Sequence, residues 1–595
     1  MACRFLLATC SLAEKWRPTV DPVNGHYPLG MASLYAVAEQ AGHSVDLLYL
    51  VAEPQERCTS LILDTIREKD IQVLGLSVIT DNRVASFRTI EAVLDECPQV
   101  RVILGGIHVS VMYEQILTRY PQVIAVRGEG EETLVDLLDA IETGRDLATV
   151  PGIAFWRGDG VVTTGERVQI ADLDTLPMPR HDLFFTPERT CAQLMTSRGC
   201  PFTCSFCVLD SVSRRKVRFR TAKSVVDEIE MILANHPQAK HFHVYDDQFF
   251  ANNKRVIEIC DEIVRRGIKA HFLCQGRVKP ISRELVLALE RAGFTTVILG
   301  LESGSPEVLK RCNKKIELKD VERALSLFAG TSIEVSVLLI IGLPGETEST
   351  LQETIDFCQT LQKIKYHVYD NRIQDLFVYP GTEIYRNCQD AGRIDDDFWL
   401  KDGDCPRFEL DLDGLEYLHL RNRLLDGISI YRLFTEDGFQ AQRALIPTFL
   451  RYLYGANTFA LRYRECFEGL VQNALLDALA RKRIEILGHP EQVGPGRAFS
   501  ALNVLRRPGD ESALLLNLIP FPNGLNIPDL VAYAYRNRVG ALTDAFDRAI
   551  IAYMEEAFAT GNGQLERVTP HDAMELRIKA LEEEVTVAAH QTLAG

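Results

Sequence analysis

The sequence predicts an α/β protein with an N-terminal Rossmann-like (flavodoxin-like) parallel sheet, a central partial (β/α)6 barrel of the TIM type and a mostly helical C-terminal region. Short strands rich in β-branched residues alternate with helical patterns from the N-terminus, and the same alternation resumes after residue 190. A chain of 595 residues is too long for one core. We therefore expect an N-terminal domain at 1–150, a turn-rich linker at 151–190, the barrel at 191–395 and a C-terminal domain at 396–595.

The N-terminal region contains five predicted strands separated by helices. The strands are expected at 4–9, 44–50, 71–79, 100–104 and 123–126. Such an alternation places helices on both faces of a parallel sheet, and ligands bind at the carboxyl ends of its strands. No GxGxxG pattern opens the first helix, so a dinucleotide is not expected. The strand-end loops instead hold several glycines, which let the backbone approach a bulky flat ligand closely.

The barrel region contains six predicted strands, each followed by a helix. They are expected at 194–196, 241–245, 270–274, 296–301, 334–341 and 372–378. A barrel of this kind carries its active site at the carboxyl ends of the strands. Polar residues and glycines recur at those ends, although a carboxylate there can also simply cap the following helix.

Three cysteines, Cys200, Cys204 and Cys207, form a C-x3-C-x2-C pattern after the first barrel strand. Three thiolates can hold a [4Fe–4S] cluster and leave one iron open, which points to chemistry rather than to simple electron transfer. A zinc site would need four ligands in paired short spacings, and no fourth Cys or His follows closely. The remaining cysteines lack a disulfide framework and are expected to be reduced, mostly buried thiols.

The C-x3-C-x-Phe-C pattern, with Phe206 before the last cysteine, resembles the signature of the radical S-adenosylmethionine (SAM) superfamily. The resemblance implies that the cysteines ligate the cluster, that SAM chelates the open iron and that Phe206 lies near the adenine. It also implies an external electron donor of the flavodoxin or ferredoxin type. Further SAM-binding residues are expected at the strand ends, namely Asp246, Gln275, Glu302, Ser303 and Gly342. Asp247, Arg277 and Tyr379 are candidates for contact with the substrate.

The glycine-rich loops of the N-terminal region resemble the cobalamin-binding domain that precedes the radical domain in one branch of this superfamily. The resemblance implies that the corrin and its nucleotide tail are lined by Gly105, Gly106, His108, Ser110, Gly128, Glu129 and Gly130. The Asp-x-His-x-x-Gly motif that supplies a histidine to cobalt is absent. Cobalamin is therefore expected in its base-off form, with Thr80 and Asn82 among the residues that could face its lower side.

The function implied by this resemblance is that of a cobalamin-dependent radical SAM C-methyltransferase, which uses a 5′-deoxyadenosyl radical and methylcobalamin to methylate an unactivated carbon of a small-molecule or peptide natural-product intermediate. A cyclase, rearrangement or ring-contraction enzyme without methyl transfer is the alternative. An RNA methylthiotransferase is not favoured, because it would need a second cysteine cluster and a basic domain. A cobalamin- or redox-sensing protein with a regulatory cluster is not favoured either, because the polar residues at the strand ends would then have no function.

The composition limits the partners further. A net charge of −17 disfavours nucleic acid and anionic membranes, and no stretch has the length of a membrane-spanning helix. With its scattered cysteines, the chain is expected in the cytoplasm. In the C-terminal region, helices are expected at 415–434, 445–454, 462–487 and 530–558, and one apolar strand at 513–520.

Overall fold

The computed structural model describes residues 3–12, 26–362, 364, 373–395 and 397–401, together with three short strands near the C-terminus. The chain forms two compact units. The first comprises Met1–Gly345 and Asp375–Glu409, and the second Glu346–Gln374 and Leu410–Gly595. The sites discussed below lie in the first unit.

The N-terminal sheet has seven strands in the order β2-β1-β3-β4-β5-β6-β7. Strands β1 to β5 are parallel, as the sequence predicts, and their order 2-1-3-4-5 is that of flavodoxin-like folds. The strands are β1 (Arg4–Thr9), β2 (Ser44–Tyr49), β3 (Val73–Ser77), β4 (Arg101–Gly105), β5 (Ile124–Val126), β6 (Ile153–Arg157) and β7 (Gly160–Thr163). The helices are α1 (Leu29–Gln40), α2 (Gln55–Glu68), α3 (Arg83–Glu96), α4 (Ile107–Arg119) and α5 (Glu131–Thr143).

Successive side chains of a strand point to opposite sides of the sheet. Both sides of this sheet are buried, each against its own hydrophobic core. Leu6 and Leu74 belong to the core on one face, whereas Phe5 and Val73 belong to the core on the other. Gly75 makes room for an aromatic ring within the second core: a Cβ on this glycine would lie 2.6 Å from the ring of Phe5.

The segment 151–190 differs from its prediction as a turn-rich linker. Strands β6 and β7 form an antiparallel hairpin around Gly158-Asp-Gly160, and β6 pairs antiparallel with β5 through Val126 and Ile153. The apolar residues on each side of this glycine turn allow both segments to pair as strands. The hairpin therefore extends the N-terminal sheet.

The second sheet has six strands in the order β15-β14-β13-β12-β11-β8, and the pairs from β8 to β14 are parallel. Six strands were predicted here, and the parallel arrangement of the five from β8 to β14 is confirmed. They are β8 (Cys191–Leu194), β11 (His241–Val244), β12 (His271–Arg277), β13 (Phe294–Glu302), β14 (Glu334–Ile341) and β15 (Ile373–Asp375). A short antiparallel pair, β9 (Ser197–Arg198) and β10 (Arg218–Phe219), flanks the cysteine motif. The helices are α6 (Leu209–Ser213), α7 (Ala222–Asn235), α8 (Asn253–Arg265), α9 (Arg283–Ala292), α10 (Pro306–Arg311), α11 (Leu318–Phe328), α12 (Glu348–Gln362) and α13 (Glu383–Asp390).

Near the C-terminus, β16 (Glu485–Ile486), β17 (Ala501–Arg506) and β18 (Ala513–Leu518) form an antiparallel sheet. Strand β18 matches the predicted strand at 513–520. Strand β16 replaces the end of the helix predicted at 462–487. The other predicted C-terminal helices lie outside the described residues. In the described part of the chain, no helix is long and apolar enough to span a membrane.

Candidate cofactor and active site

The three cysteines of the C-x3-C-x2-C motif are partly buried in the loop between β9 and α6. Burial raises the pKa of Cys207 to about 12 and also raises the pKa of Cys200. Ligation must therefore displace the thiol protons.

The residues that follow α10 hold the cysteine loop in place. Asn313 Nδ2 donates to the backbone oxygen of Thr203 at 2.8 Å and to its Oγ1 at 2.7 Å. Ser205 N donates to Cys312 O at 3.1 Å. Asn313 adopts a positive φ of 52°, which asparagine tolerates better than most residues. These residues were not predicted from the sequence, where their only signal is the polar run Asn313-Lys-Lys after a predicted helix.

Asp246 and Asp247 follow closely after β11, which ends at Val244, but they have different environments. Asp246 is fully buried and accepts hydrogen bonds from the backbone and hydroxyl of Thr196 and from the hydroxyl of Ser197. Its oxygens thus fix the segment that leads to the cysteines, and its expected role as a SAM-binding residue stays a prediction. Asp247 accepts a hydrogen bond from Gly199 N at 2.7 Å and lines a cavity at the carboxyl ends of the first sheet, which is described below. Burial and then the Asp246 charge raise the pKa of Asp247 despite the Gly199 bond.

Arg277 was expected to contact the substrate, but the structure places it against the cysteine loop. Its Nη1 donates to Cys204 Sγ at 3.3 Å, and its guanidinium lies 3.8 Å from the centre of the Phe202 ring. Its second terminal nitrogen donates to Lys314 O. The residue is 6% exposed, so these contacts leave little of the guanidinium for a substrate.

The other predicted SAM-binding and substrate-binding residues fall into two groups. Glu302 forms a buried ion pair with Lys314, and Ser303 Oγ accepts a hydrogen bond from Ser305 N at 3.1 Å, so both side chains have local partners that the sequence did not reveal. The second group is partly open to solvent and consists of Phe206, Gln275, Gly342 and Tyr379. The structure therefore leaves the second group better placed than Glu302 to contact a ligand.

A cavity of about 490 Å³ lies at the carboxyl ends of the first sheet. Its walls come from the sheet, from α1 and α5, and from the cysteine side, where Arg198, Gly199 and Asp247 contribute. The expected cobalamin-binding residues that line it are Gly105, Gly106, Ser110, Gly128, Glu129 and Gly130. A Cβ built on Gly105 would meet no protein atom within 4 Å. The glycine therefore borders open space, as a cradle for a large ligand requires.

Thr80, Asn82 and His108 are not among the residues that line this cavity, and their expected contact with cobalamin stays a prediction. Asn82 bonds to Thr9 Oγ1 at 3.0 Å, and Thr80 Oγ1 lies 3.1 Å from His108 Nδ1. All three are at most 5% exposed. Burial and the nearby Arg83 charge lower the pKa of His108 to about 3, so it is neutral near pH 7. Their hydrogen bonds shape the loop after β3.

Glu129 joins the N-terminal sheet to the β9–β10 pair through a charge network. Arg218 binds both of its carboxylate oxygens, at 2.7 and 2.8 Å, and Arg198 approaches at 3.3 Å while bonding Glu131 at 2.6 Å. Burial alone would raise the pKa of Glu129, but the two arginines outweigh it and hold the pKa below its usual range. These partners are far apart in sequence, so Glu129 was predicted only as a ligand-binding residue.

A second buried chain of hydrogen bonds joins the same parts of the protein. Tyr27 Oη lies 2.7 Å from His181 Nδ1, and His181 Nε2 lies 2.7 Å from Glu228 Oε1. Glu228 is also paired with Arg220. The cavity walls are therefore braced by two polar networks, neither of which has a local sequence signature.

Two family models match the chain. The model of the radical SAM superfamily matches residues 194–358, and that of the B12-binding domain matches residues 20–138. The chain is 31% identical over 345 residues to the anaerobic magnesium-protoporphyrin IX monomethyl ester cyclase of Rubrivivax gelatinosus, covering 56% of this chain and 62% of the relative. It thus spans less than two thirds of that relative's length. A protein of Pyrococcus horikoshii named as an uncharacterized methyltransferase is 29% identical over 364 residues, covering 60% of this chain and 77% of the relative.

Solved structures show the same fold. The cobalamin-dependent S-adenosylmethionine radical enzyme OxsB, with aqua-cobalamin bound, aligns with a TM-score of 0.63 and 16% identity over 99% of this chain and 84% of its own. At this identity the likeness concerns the fold alone.

Proposed function

Because this chain belongs to the cobalamin-dependent radical SAM enzymes, whose cofactors are a [4Fe–4S] cluster, SAM and cobalamin, we propose that it is a C-methyltransferase. Its substrate would be a small-molecule or peptide intermediate with an unactivated carbon. The relative from Pyrococcus horikoshii that is named as an uncharacterized methyltransferase supports this proposal.

One observation carries the proposal: the main cavity is shared by both cofactor domains. Gly105 and Gly128 border it on the side of the B12-binding domain, and Gly199 and Asp247 border it on the side of the cysteine loop. Gly199 directly precedes Cys200. A methyl donor held on one side and a radical source on the other would therefore be close enough to act on one bound substrate.

Each group of residues described above would have its own role in such a site. When bound, the cluster and SAM supply a hydrogen-abstracting radical, and cobalamin supplies the methyl group. Cys200, Cys204 and Cys207 would hold the cluster. Asp246 fixes the segment that precedes these cysteines. The glycines of the cavity wall leave room for the corrin and its nucleotide tail. The apolar residues of the cavity wall would keep water away from a reactive carbon.

The stoichiometry of the by-products tests this function. Methylation consumes two SAM and two electrons from an external donor for each product, and releases one S-adenosylhomocysteine, one 5′-deoxyadenosine and one methionine. We expect a ratio of S-adenosylhomocysteine to 5′-deoxyadenosine near one. SAM with a deuterated methyl group should label the product, and deuterium at the reacting carbon should appear in 5′-deoxyadenosine.

A cyclase or rearrangement without methyl transfer is the second candidate, because a relative at 31% identity is named as a cyclase. That function predicts 5′-deoxyadenosine without stoichiometric S-adenosylhomocysteine, and an unlabelled product. Labelled product without any 5′-deoxyadenosine would instead indicate methyl transfer to a nucleophilic carbon, and would refute hydrogen abstraction.

A further inference from the structure

Arg277 is held firmly at the cysteine loop by groups on three sides. Phe202 lies under its guanidinium, Lys314 O accepts from one terminal nitrogen, and Cys204 Sγ accepts from the other at 3.3 Å. Its backbone N–H donates to Gln248 Oε1 at 2.9 Å. The residue is 6% exposed, so the direction of its charge is set by the fold.

The charge of Arg277 is directed at sulfur. In the described part of the chain, its side-chain hydrogen bonds go to a thiol and a backbone carbonyl rather than to a carboxylate. An arginine is protonated at any pH at which the protein folds. A positive charge in this partly dehydrated position interacts more strongly with nearby charges than it would in water.

We propose that Arg277 tunes the reduction potential of the [4Fe–4S] cluster by donating a charge-assisted N–H···S bond to the ligand Cys204. Reduction adds one negative charge to the cluster, and hydrogen bonds to the sulfurs are among the determinants of its potential. A fixed cation beside one thiolate stabilises the reduced state more than the oxidised state. Arg277 therefore raises the potential and makes the cluster easier to reduce. It is a positioning residue, because it acts through the cluster.

The test is a redox titration of the reconstituted full-length protein without SAM or substrate, followed by the electron paramagnetic resonance signal of the reduced cluster. Arg277→Met keeps much of the length of the side chain but removes the charge and the donors. We expect its ratio of reduced to oxidised cluster at a fixed poise to fall about tenfold, which corresponds to about 59 mV for a one-electron couple. Arg277→Lys, which keeps the charge, should lie between the two.

Arg255→Met is the matched control. Arg255 is also 6% exposed, and its guanidinium donates to the backbone oxygens of Thr196 and Arg220 in the same domain. It makes no hydrogen bond to a cysteine in the described part of the chain. Its replacement should leave the potential unchanged, so that a shift in Arg277→Met reports the contact with sulfur rather than the loss of any buried arginine.

The iron content of each variant is measured before its potential. If Arg277→Met does not retain four irons, Arg277→Gln is titrated in its place. A wild-type potential in the variant that retains the cluster would overturn the proposal. Loss of iron from every Arg277 variant would also overturn it, in favour of a role in holding the loop. Because no substrate is present, the result is independent of whether the enzyme methylates or cyclises.

Discussion

Gly105 and Gly106 are adjacent glycines that should respond to substitution in opposite ways. A Cβ on Gly105 would enter open space in the cavity, since no protein atom lies within 4 Å. A Cβ on Gly106 would lie 2.4 Å from Val78 O, and Gly106 has a φ of +105°, which L-residues rarely adopt. The first glycine therefore leaves room for a ligand, and the second allows a backbone conformation.

Gly105→Val should weaken cobalamin binding without weakening the fold. Forcing extra carbon atoms into a packed contact costs about 1–3 kcal/mol, which corresponds to about 5- to 150-fold in the dissociation constant. Gly106→Ala should instead lower the free energy of unfolding by about 1–3 kcal/mol, through strain at a positive φ.

The assay compares cobalamin affinity, from optical titration of the cofactor-free protein, with stability from thermal unfolding of the same samples. Wild-type affinity in Gly105→Val would show that cobalamin does not occupy this cavity. An equal loss of stability in both variants would show that Gly105 is required by the fold alone.

Two further predictions concern the cysteines and the charge network. Alanine at Cys200, Cys204 or Cys207 should abolish reductive cleavage of SAM. Replacement of Cys260, a buried thiol on α8, by alanine should leave this cleavage intact. Full activity in any variant of the three motif cysteines would exclude the cluster assignment. Glu129→Gln should lower the free energy of unfolding at pH 7 by about 3 kcal/mol, because it breaks the largely buried ion pairs with Arg198 and Arg218. The control is Glu96→Gln, which breaks an exposed pair with Arg67 and should lower the free energy of unfolding by less than about 1 kcal/mol. The pKa of Glu129 is lowered in the fold, so its contribution is complete above the unfolded value of about 4.3 and is lost as pH falls through the lower folded value. The difference in stability between wild type and Glu129→Gln should therefore shrink in acid, and a difference independent of pH would contradict the ion-pair explanation.

Local patterns predicted the strands of both parallel sheets, because hydrophobic periodicity and strand-end glycines are properties of neighbouring residues. Gly105 and Gly128, which were predicted to line a cobalamin site, border the cavity in the structure, and their contact with cobalamin stays a prediction.

The long-range partners could not be predicted. Asp246 and Asp247 are chemically identical neighbours, and only the fold decides which carboxylate is buried against Thr196 and which reaches the cavity. Glu302 ends β13, and its partner Lys314 lies twelve residues further along the chain in the loop after α10. Arg277 was assigned to the substrate because it ends a barrel strand, while its contact with Cys204 spans 73 positions. Residue type therefore indicated a functional region, but tertiary packing decided each residue's role.

The hairpin of β6 and β7 has a consequence for dividing this protein into parts. A fragment ending at residue 150 would still pair β5 with β4 but would expose the other edge of β5, which the hairpin covers, and exposed edges of this kind promote aggregation. It would also lack the cavity wall that includes Leu173, Leu176 and Met178, and both arginines that neutralise Glu129. Chimeras that exchange the cobalamin module between relatives should therefore carry the hairpin and the segment up to about residue 180 with the donor module, and should take the residues at positions 198 and 218 from the same parent.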